Sequence, residues 1–184
     1  WAVLTGTSSD TGEWQKCRNF ARGCFGPELM AVTATTDGEL ITLKHPQQGE
    51  LTINPATDGA QLVDWITPIY PAERPAPHRL IKSPEGGMAD ASFSAISILS
   101  LASLKALGEK LGQTLDPRRF RGNVWIDDIA PFEEFEWLDR ELEIGGVKLK
   151  VIDRITRCRA TETNPDTGER DANTLKALRD HWGH

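Results

Sequence analysis

Between Thr67 and Pro84 the chain places prolines at positions 68, 71, 75, 77 and 84. Proline fixes φ and carries no amide donor, so neither a helix interior nor a central strand can run through such a stretch. It reads as an extended connector, and the chain must assemble its cores on either side. Two domains are expected. Residues 1–84 form a small β-rich domain ending in the proline-rich connector, and residues 85–184 form a second core.

Local signals fill in both halves. Trp1 to Leu4 reads as a strand and Ser8 to Gly12 as a turn. Leu29 to Thr35 and Glu39 to Leu43 are β-rich runs joined by Asp37-Gly38, a two-residue hairpin signal, and Leu51 to Ile53 adds a short strand. Asp58 is positioned to cap a helix carrying Leu62, Val63 and Ile66 on one face. Beyond the prolines, Ser100 caps a helix with Leu101, Leu104, Leu107 and Leu111 on one stripe, stopped by Gly112. Phe120 to Ile126 reads as a strand. Leu142 to Ile144 and Val147 to Ile152 read as a hairpin around Gly145-Gly146, and Cys158 to Thr163 as extended chain. Asp171 is placed to cap a last helix with Leu175, Leu178 and Trp182 inward. The sum is mainly β with short helices, an α+β chain.

Bulk properties narrow the function. The 184 residues carry 39% hydrophobic and 26% charged side chains, an ordinary balance for a folded protein. A net charge of −6 argues against a nucleic-acid backbone as partner, and no apolar run is long enough to span a bilayer. Three cysteines form no disulfide framework, which fits a reducing, cytoplasmic compartment. The chain has no initiator Met, Trp1 already reads as mid-strand, and it stops at Asp180-His181-Trp182-Gly183-His184. It is expected to be part of a longer protein.

One thiol stands apart. Cys158 is flanked by Arg154, Arg157 and Arg159 and followed by Asn164-Pro165-Asp166-Thr167-Gly168. Guanidinium groups favour thiolate, the form that attacks electrophiles and binds soft metals. A free cysteine is equally at home as inert core packing, and local chemistry leaves both readings open. In a regular strand Arg157 and Arg159 would point away from Cys158, leaving Arg154 alone on its face.

The run Arg157-Cys158-x-x-Thr161-x-x-Asn164-Pro165-Asp166-Thr167-Gly168 resembles the motif of the MOSC domain, named after the C-terminal part of molybdenum cofactor sulfurases. Ile98 to Leu104 is similar to that family's helix start. Arg118-Arg119-Phe120-Arg121-Gly122-Asn123-Val124 is similar to its Arg-x-Phe-Arg-x-Asn strand, with Gly122 where Pro is commoner. The upstream region resembles the β-domain that precedes MOSC in the amidoxime-reducing branch. The resemblance implies a MOSC-type β-barrel preceded by a small β-rich domain, and a molybdenum cofactor (molybdopterin). Pyridoxal phosphate would belong only to a separate partner domain. Cys158 is then the catalytic residue and the metal ligand, since molybdenum takes soft sulfur. Arg121 and Asn123 are assigned to the pterin and its phosphate, which arginine's planar fork suits. Placed two apart in a strand, they would share one face. Arg119 and Thr161 complete the cofactor-binding set within the motifs. Arg18 falls where the amidoxime-reducing branch places a cofactor-contacting Arg, although Cys17 and the Ala21-Arg22-Gly23-Cys24 stretch depart from that branch.

Two activities follow as expectations. One is a molybdenum-dependent reductase of N-oxygenated small molecules, refilled by a ferredoxin-type or flavin-type electron donor. The other is a sulfur carrier holding a persulfide on Cys158. A non-catalytic anion-binding β-domain is a third reading. Cys17 and Cys24 fit no zinc spacing, and His45, His78, His181 and His184 are scattered, so structural or surface roles are expected for all six.

Overall fold

The structure, a computed structural model, describes residues 1–88, 91, 93 and 95–184. The chain divides into two compact units, residues 1–95 with 159–171 and residues 96–158 with 172–184.

In the first unit, β1 (Ala2–Thr5) pairs antiparallel with β5 (Pro77–Ile81). This corrects the reading of 67–84 as a plain connector. Pro77 opens the strand, where a missing donor costs little, and the Gly6 amide bonds the Ala76 carbonyl just before it. A 3-10 turn over Thr67–Ile69 occupies the start of the same stretch. Leu4, Phe20 and Ile81 form the buried cluster between these elements, with Ala2 and Met88 packed against it.

The three-stranded antiparallel sheet β2 (Thr33–Asp37), β3 (Leu40–His45) and β4 (Gly49–Ile53) turns at Gly38, whose φ is +57°. The β-rich run expected from Leu29 is instead a 3-10 turn, Pro27–Ala31, before the strand begins. Proline at the first position presets φ for that turn, so the strand starts later. Helix α1 (Gly59–Ile66) begins after Asp58, but the Asp58 carboxylate does not cap it. It accepts instead from the Asn54 amide at 2.8 Å, closing the turn that delivers the helix.

Residues 159–171 complete the first unit. They make a 3-10 turn over Arg159–Glu162 where extended chain was expected. A loop follows in which the Asn164 carboxamide oxygen accepts from the Asp166 amide at 2.9 Å, and the Asn164 carbonyl accepts from the Gly168 amide at 2.9 Å. Gly168, at φ +75°, lies so close to Glu28 that a Cβ there would sit 2.6 Å from the Glu28 Cα.

In the second unit, β6 (Ile98–Ser100), α2 (Leu101–Leu111) and β7 (Val124–Ile126) form a parallel strand pair joined through a helix. Ser100 caps α2 by accepting from the Ser103 amide at 3.2 Å, and Gly112 ends it in the left-handed region. The hairpin β8 (Glu141–Ile144) and β9 (Val147–Lys150) turns at Gly145-Gly146 as expected. The last helix, α3 (Thr174–Trp182), starts after Asn173 rather than Asp171, because the Asp171 amide is drawn into a bond to the Glu162 carbonyl. Leu107, Leu115, Phe120, Ala172, Ala177 and Leu178 form the buried core, and Trp182 stacks on Phe132 with ring centroids 4.0 Å apart.

Strands and short helices mix throughout, and the four sheets, of two, three, two and two strands, stay separate among the described residues. The class is α+β. No helix among these residues is long and apolar enough to cross a membrane.

Candidate functional site around Cys158

The Asp116-Pro117 pair sets the geometry of the upstream motif. The Asp116 carboxylate accepts from the Arg118 amide at 2.8 Å, starting a 3-10 turn over Pro117–Phe120. The same carboxylate also takes the Arg118 guanidinium in a fork, Nε at 3.0 Å and Nη2 at 2.6 Å. These side-chain bonds hold the Asp116 carboxyl below the usual carboxylate range, against a smaller opposing effect of burial.

The turn ends at Arg121, which adopts φ 51° and ψ 39°, a left-handed conformation uncommon for a residue with a Cβ. The strand begins only at Val124. The expectation that Arg121 and Asn123 lie two apart on one strand face is therefore corrected, since alternation does not operate through a left-handed residue outside the strand. Both side chains are nonetheless exposed. Asn123 has a structural commitment: its Oδ1 accepts from the Ser97 amide and Oγ, both at 2.9 Å, and its own amide donates to Ser97 Oγ at 3.0 Å. Ser97 thus pins β7 to the start of β6. No local signal in the sequence marked it, because its partner is a distant residue.

Arg119, next to Arg121, is buried at 3% exposure. Arg157, one residue before Cys158, donates from Nη2 to the Phe120 carbonyl and lies with Cζ 5.3 Å from the Phe120 ring centroid. This contact ties the segment entering Cys158 to the turn entering Arg121, so the two motifs meet within the second unit.

Cys158 itself is exposed. Residues 151–158 form no regular strand, so the alternation expected of Arg154, Arg157 and Arg159 does not apply. Arg154 reaches the Phe135 carbonyl with Nη2 at 2.8 Å and stacks over that ring at 4.7 Å. Arg159 pairs with Glu162 at 2.9 Å. Each of the three flanking arginines thus has a partner elsewhere in the chain.

Arg18 and Thr161 lie in the first unit, Arg18 exposed on a 3-10 turn and Thr161 buried at 3%. The second unit also holds an apolar cavity of about 170 Å³, walled by Leu99, Leu104, Phe120, Trp125 and Phe132, with Arg154 and Arg157 among its polar lining. Cys158, Arg121 and Asn123 are not among the residues lining it. No group of three or more His, Cys, Asp or Glu side chains that could hold a metal ion occurs among the described residues. A metal held here would need a ligand that brings most of its own donors, to which Cys158 could add one exposed soft sulfur.

The MOSC domain profile matches residues 85–183, more than half of the chain. The chain belongs to the MOSC domain family. Among curated relatives, mitochondrial amidoxime-reducing component 1 of Mus musculus is 34% identical and that of Homo sapiens 28%, each over 83% of this chain and 56% of the relative. Molybdenum cofactor sulfurase of Drosophila grimshawi is 39% identical over 44% of this chain and 10% of its own length. This MOSC chain therefore spans about half the length of the amidoxime-reducing relatives it matches. The family is tied to the molybdenum cofactor through the sulfurases that carry its name.

Proposed function

We propose that this MOSC chain binds molybdenum cofactor and reduces N-oxygenated small molecules, with Cys158 as the protein's thiolate ligand to the metal. The observation that carries the reading is the exposed Cys158 thiol, tied through Arg157 and Phe120 to the turn that presents the exposed Arg121. When bound, the cofactor supplies a metal that changes oxidation state and exchanges oxygen. The chain's own task is to hold and orient it. Cys158 offers one soft donor, and Arg121 offers a planar fork to the pterin phosphate. Arg119, Asn123, Thr161 and Arg18 complete the proposed contacts.

The same reading gives the protein a ferredoxin-type or flavin-type electron donor and a reducing, cytoplasmic compartment, the latter supported by three cysteines free of disulfides. It assigns residues 85–184 to the MOSC core, a β-barrel in the complete protein, and 1–84 to the preceding β-rich domain. The sulfurase likeness favours a second reading, in which Cys158 carries a persulfide.

Metal analysis of the full-length protein, made in a host that synthesises the cofactor, tests the proposal. One molybdenum per chain in the parent, lost in Cys158→Ser with folding intact, is the expected result. Absence of molybdenum together with sulfane sulfur on Cys158 would transfer the assignment to the carrier reading. Full metal content and ordinary turnover in Cys158→Ser would remove the thiol from the site.

A further inference from the structure

We propose that Arg22, Arg74 and Tyr70 form a binding site for an oxyanion of the phosphate class, in the first unit and made of residues distinct from the Cys158 motif. The site is organised by a tight turn. The Phe25 and Gly26 amides both donate to the Arg22 carbonyl, at 3.1 and 2.9 Å, which presents the Phe25 ring beside the Arg22 side chain. The Arg22 Cζ lies 4.4 Å from the centroid of that ring and the Arg74 Cζ lies 4.5 Å from it. One aromatic ring therefore holds two guanidinium groups no more than about 9 Å apart. Tyr70 packs on the same turn, so closely that a Cβ on Gly26 would sit 2.6 Å from the Tyr70 Cδ2. A third guanidinium, Arg170, reaches the turn by donating to the Cys24 carbonyl at 2.8 Å.

Attraction of guanidinium to a ring face explains why both arginines sit over Phe25. It leaves two features without a cause. The first is charge. Among the described residues no ion pair joins Arg22, Arg74 or Arg170 to a carboxylate, in a chain whose net charge is −6. Gathering three like charges on one turn raises the local potential, and such a potential draws an anion. The second is a buried donor. Arg22 Nε is shielded from solvent and has no hydrogen-bond acceptor among the described residues, while Nη1 of the same group is held by the Cys17 sulfur. A buried donor without an acceptor is costly, and a ligand oxygen would remove that cost.

The chemistry of the donors selects the class of ligand. Two guanidinium forks and a phenol hydroxyl supply several N–H and O–H donors and no anionic acceptor. A tetrahedral oxyanion with three or four oxygens can take bonds from all of them, whereas a carboxylate offers two oxygens in one plane. Burial pushes the Tyr70 phenol up from its ordinary value, outweighing the lowering by Arg22 and Arg74, so at neutral pH it keeps its proton and acts as a donor. The same oxyanion could arrive as inorganic phosphate or as the phosphate end of a larger ester.

Isothermal titration at fixed ionic strength tests the site, with chloride replaced stepwise by inorganic phosphate and, in a second arm, by glycerol 3-phosphate. The parent chain should show saturable binding of one oxyanion. Tighter binding of the ester identifies an esterified ligand, and tighter binding of phosphate identifies the free ion. Arg74→Gln should weaken binding at least tenfold and leave thermal unfolding in phosphate-free buffer unchanged, because Arg74 is exposed and its side chain lies against the ring with no ion pair among the described residues. Arg22→Lys, which keeps the charge and removes the fork, should also weaken it. Arg121→Ala should leave this binding intact. Absence of saturable heat in the parent overturns the proposal. So does parental affinity in both Arg74→Gln and Arg22→Lys, or loss of the heat in Arg121→Ala.

Discussion

Gly168→Ala should destabilise the protein far more than a glycine change in a surface loop ordinarily does. Gly168 has a φ of +75°, and an added Cβ would stand 2.6 Å from the Glu28 Cα, 3.3 Å from its Cβ and 3.2 Å from its Cγ. The left-handed conformation alone costs an alanine about 1–2 kcal/mol. The approach to Glu28 involves backbone, which cannot swing aside like a side-chain tip, and relieving such overpacking costs about 1–3 kcal/mol more. The two together give roughly 2–5 kcal/mol, or a fall in Tm of about 4–20 °C for a chain of this size. Gly146→Ala provides the control. Gly146 has φ +80° with nothing within 4 Å of an added Cβ, so only the conformational cost of about 1–2 kcal/mol applies. Circular-dichroism melts of the two variants against the parent decide the matter. If Gly168→Ala melts no lower than Gly146→Ala, the close approach to Glu28 does not operate and the account of that loop fails.

Tyr70 is the sole tyrosine of the chain, so the alkaline rise in absorbance at 295 nm over the tryptophan background reports its ionisation. Burial raises its folded value above that of the unfolded chain, so its contribution to stability is complete below about pH 10 and is lost as pH rises through the folded value. The midpoint of tyrosinate formation should lie above the ordinary value of about 10, and Arg74→Gln should raise it further by removing a cation that favours the anion; a midpoint at or below the ordinary value in the parent would refute this. Asp116 has the opposite sign: its folded value is lowered by the Arg118 bonds, so its stabilisation is present above about pH 4 and fades as pH falls through the folded value. Urea unfolding of Asp116→Asn should show less loss on acidification between pH 5 and 2 than the parent. Arg121→Ala should reduce cofactor retention in the full-length protein by about 2 kcal/mol or more, a loss appropriate to a bidentate contact with a buried phosphate. Arg118→Ala, whose fork is already spent on Asp116, should reduce it little, and equal molybdenum content in both variants would take Arg121 out of the site.

Features written in adjacent residues were legible, and features set by distant partners were not. The helix between Ser100 and Gly112 and the hairpin at Gly145-Gly146 follow from caps and turn residues that act over three or four positions. The shared face of Arg121 and Asn123 failed because Asp116-Pro117 starts a turn whose end falls inside the apparent strand. Five prolines concealed β5, since proline forbids an interior donor but permits a strand that begins with it. At the candidate site, Cys158 is singled out by its motif, whereas the partners of Arg157 and Arg154, Phe120 and Phe135, depend on three-dimensional neighbours. The motif's Pro-Asp-Thr-Gly was visible as a turn. Its glycine's reason lies at Glu28, far upstream, where no local rule could reach.

The membership of residues 159–171 in the first unit has a consequence for synthesis. A ribosome releases the N-terminal strands early, but the loop that packs Gly168 against Glu28, and brings Arg170 to the Cys24 carbonyl, emerges only after the whole of 96–158 has been made. The first unit must therefore wait, incomplete, while the second unit's leading segment is translated. During that interval the surfaces later covered by residues 159–171 stand open to the solvent and to other nascent chains. Translation stalled before Asp171 would leave a first unit that has most of its strands but lacks its closing loop, and aggregation should be most severe for nascent chains of that length.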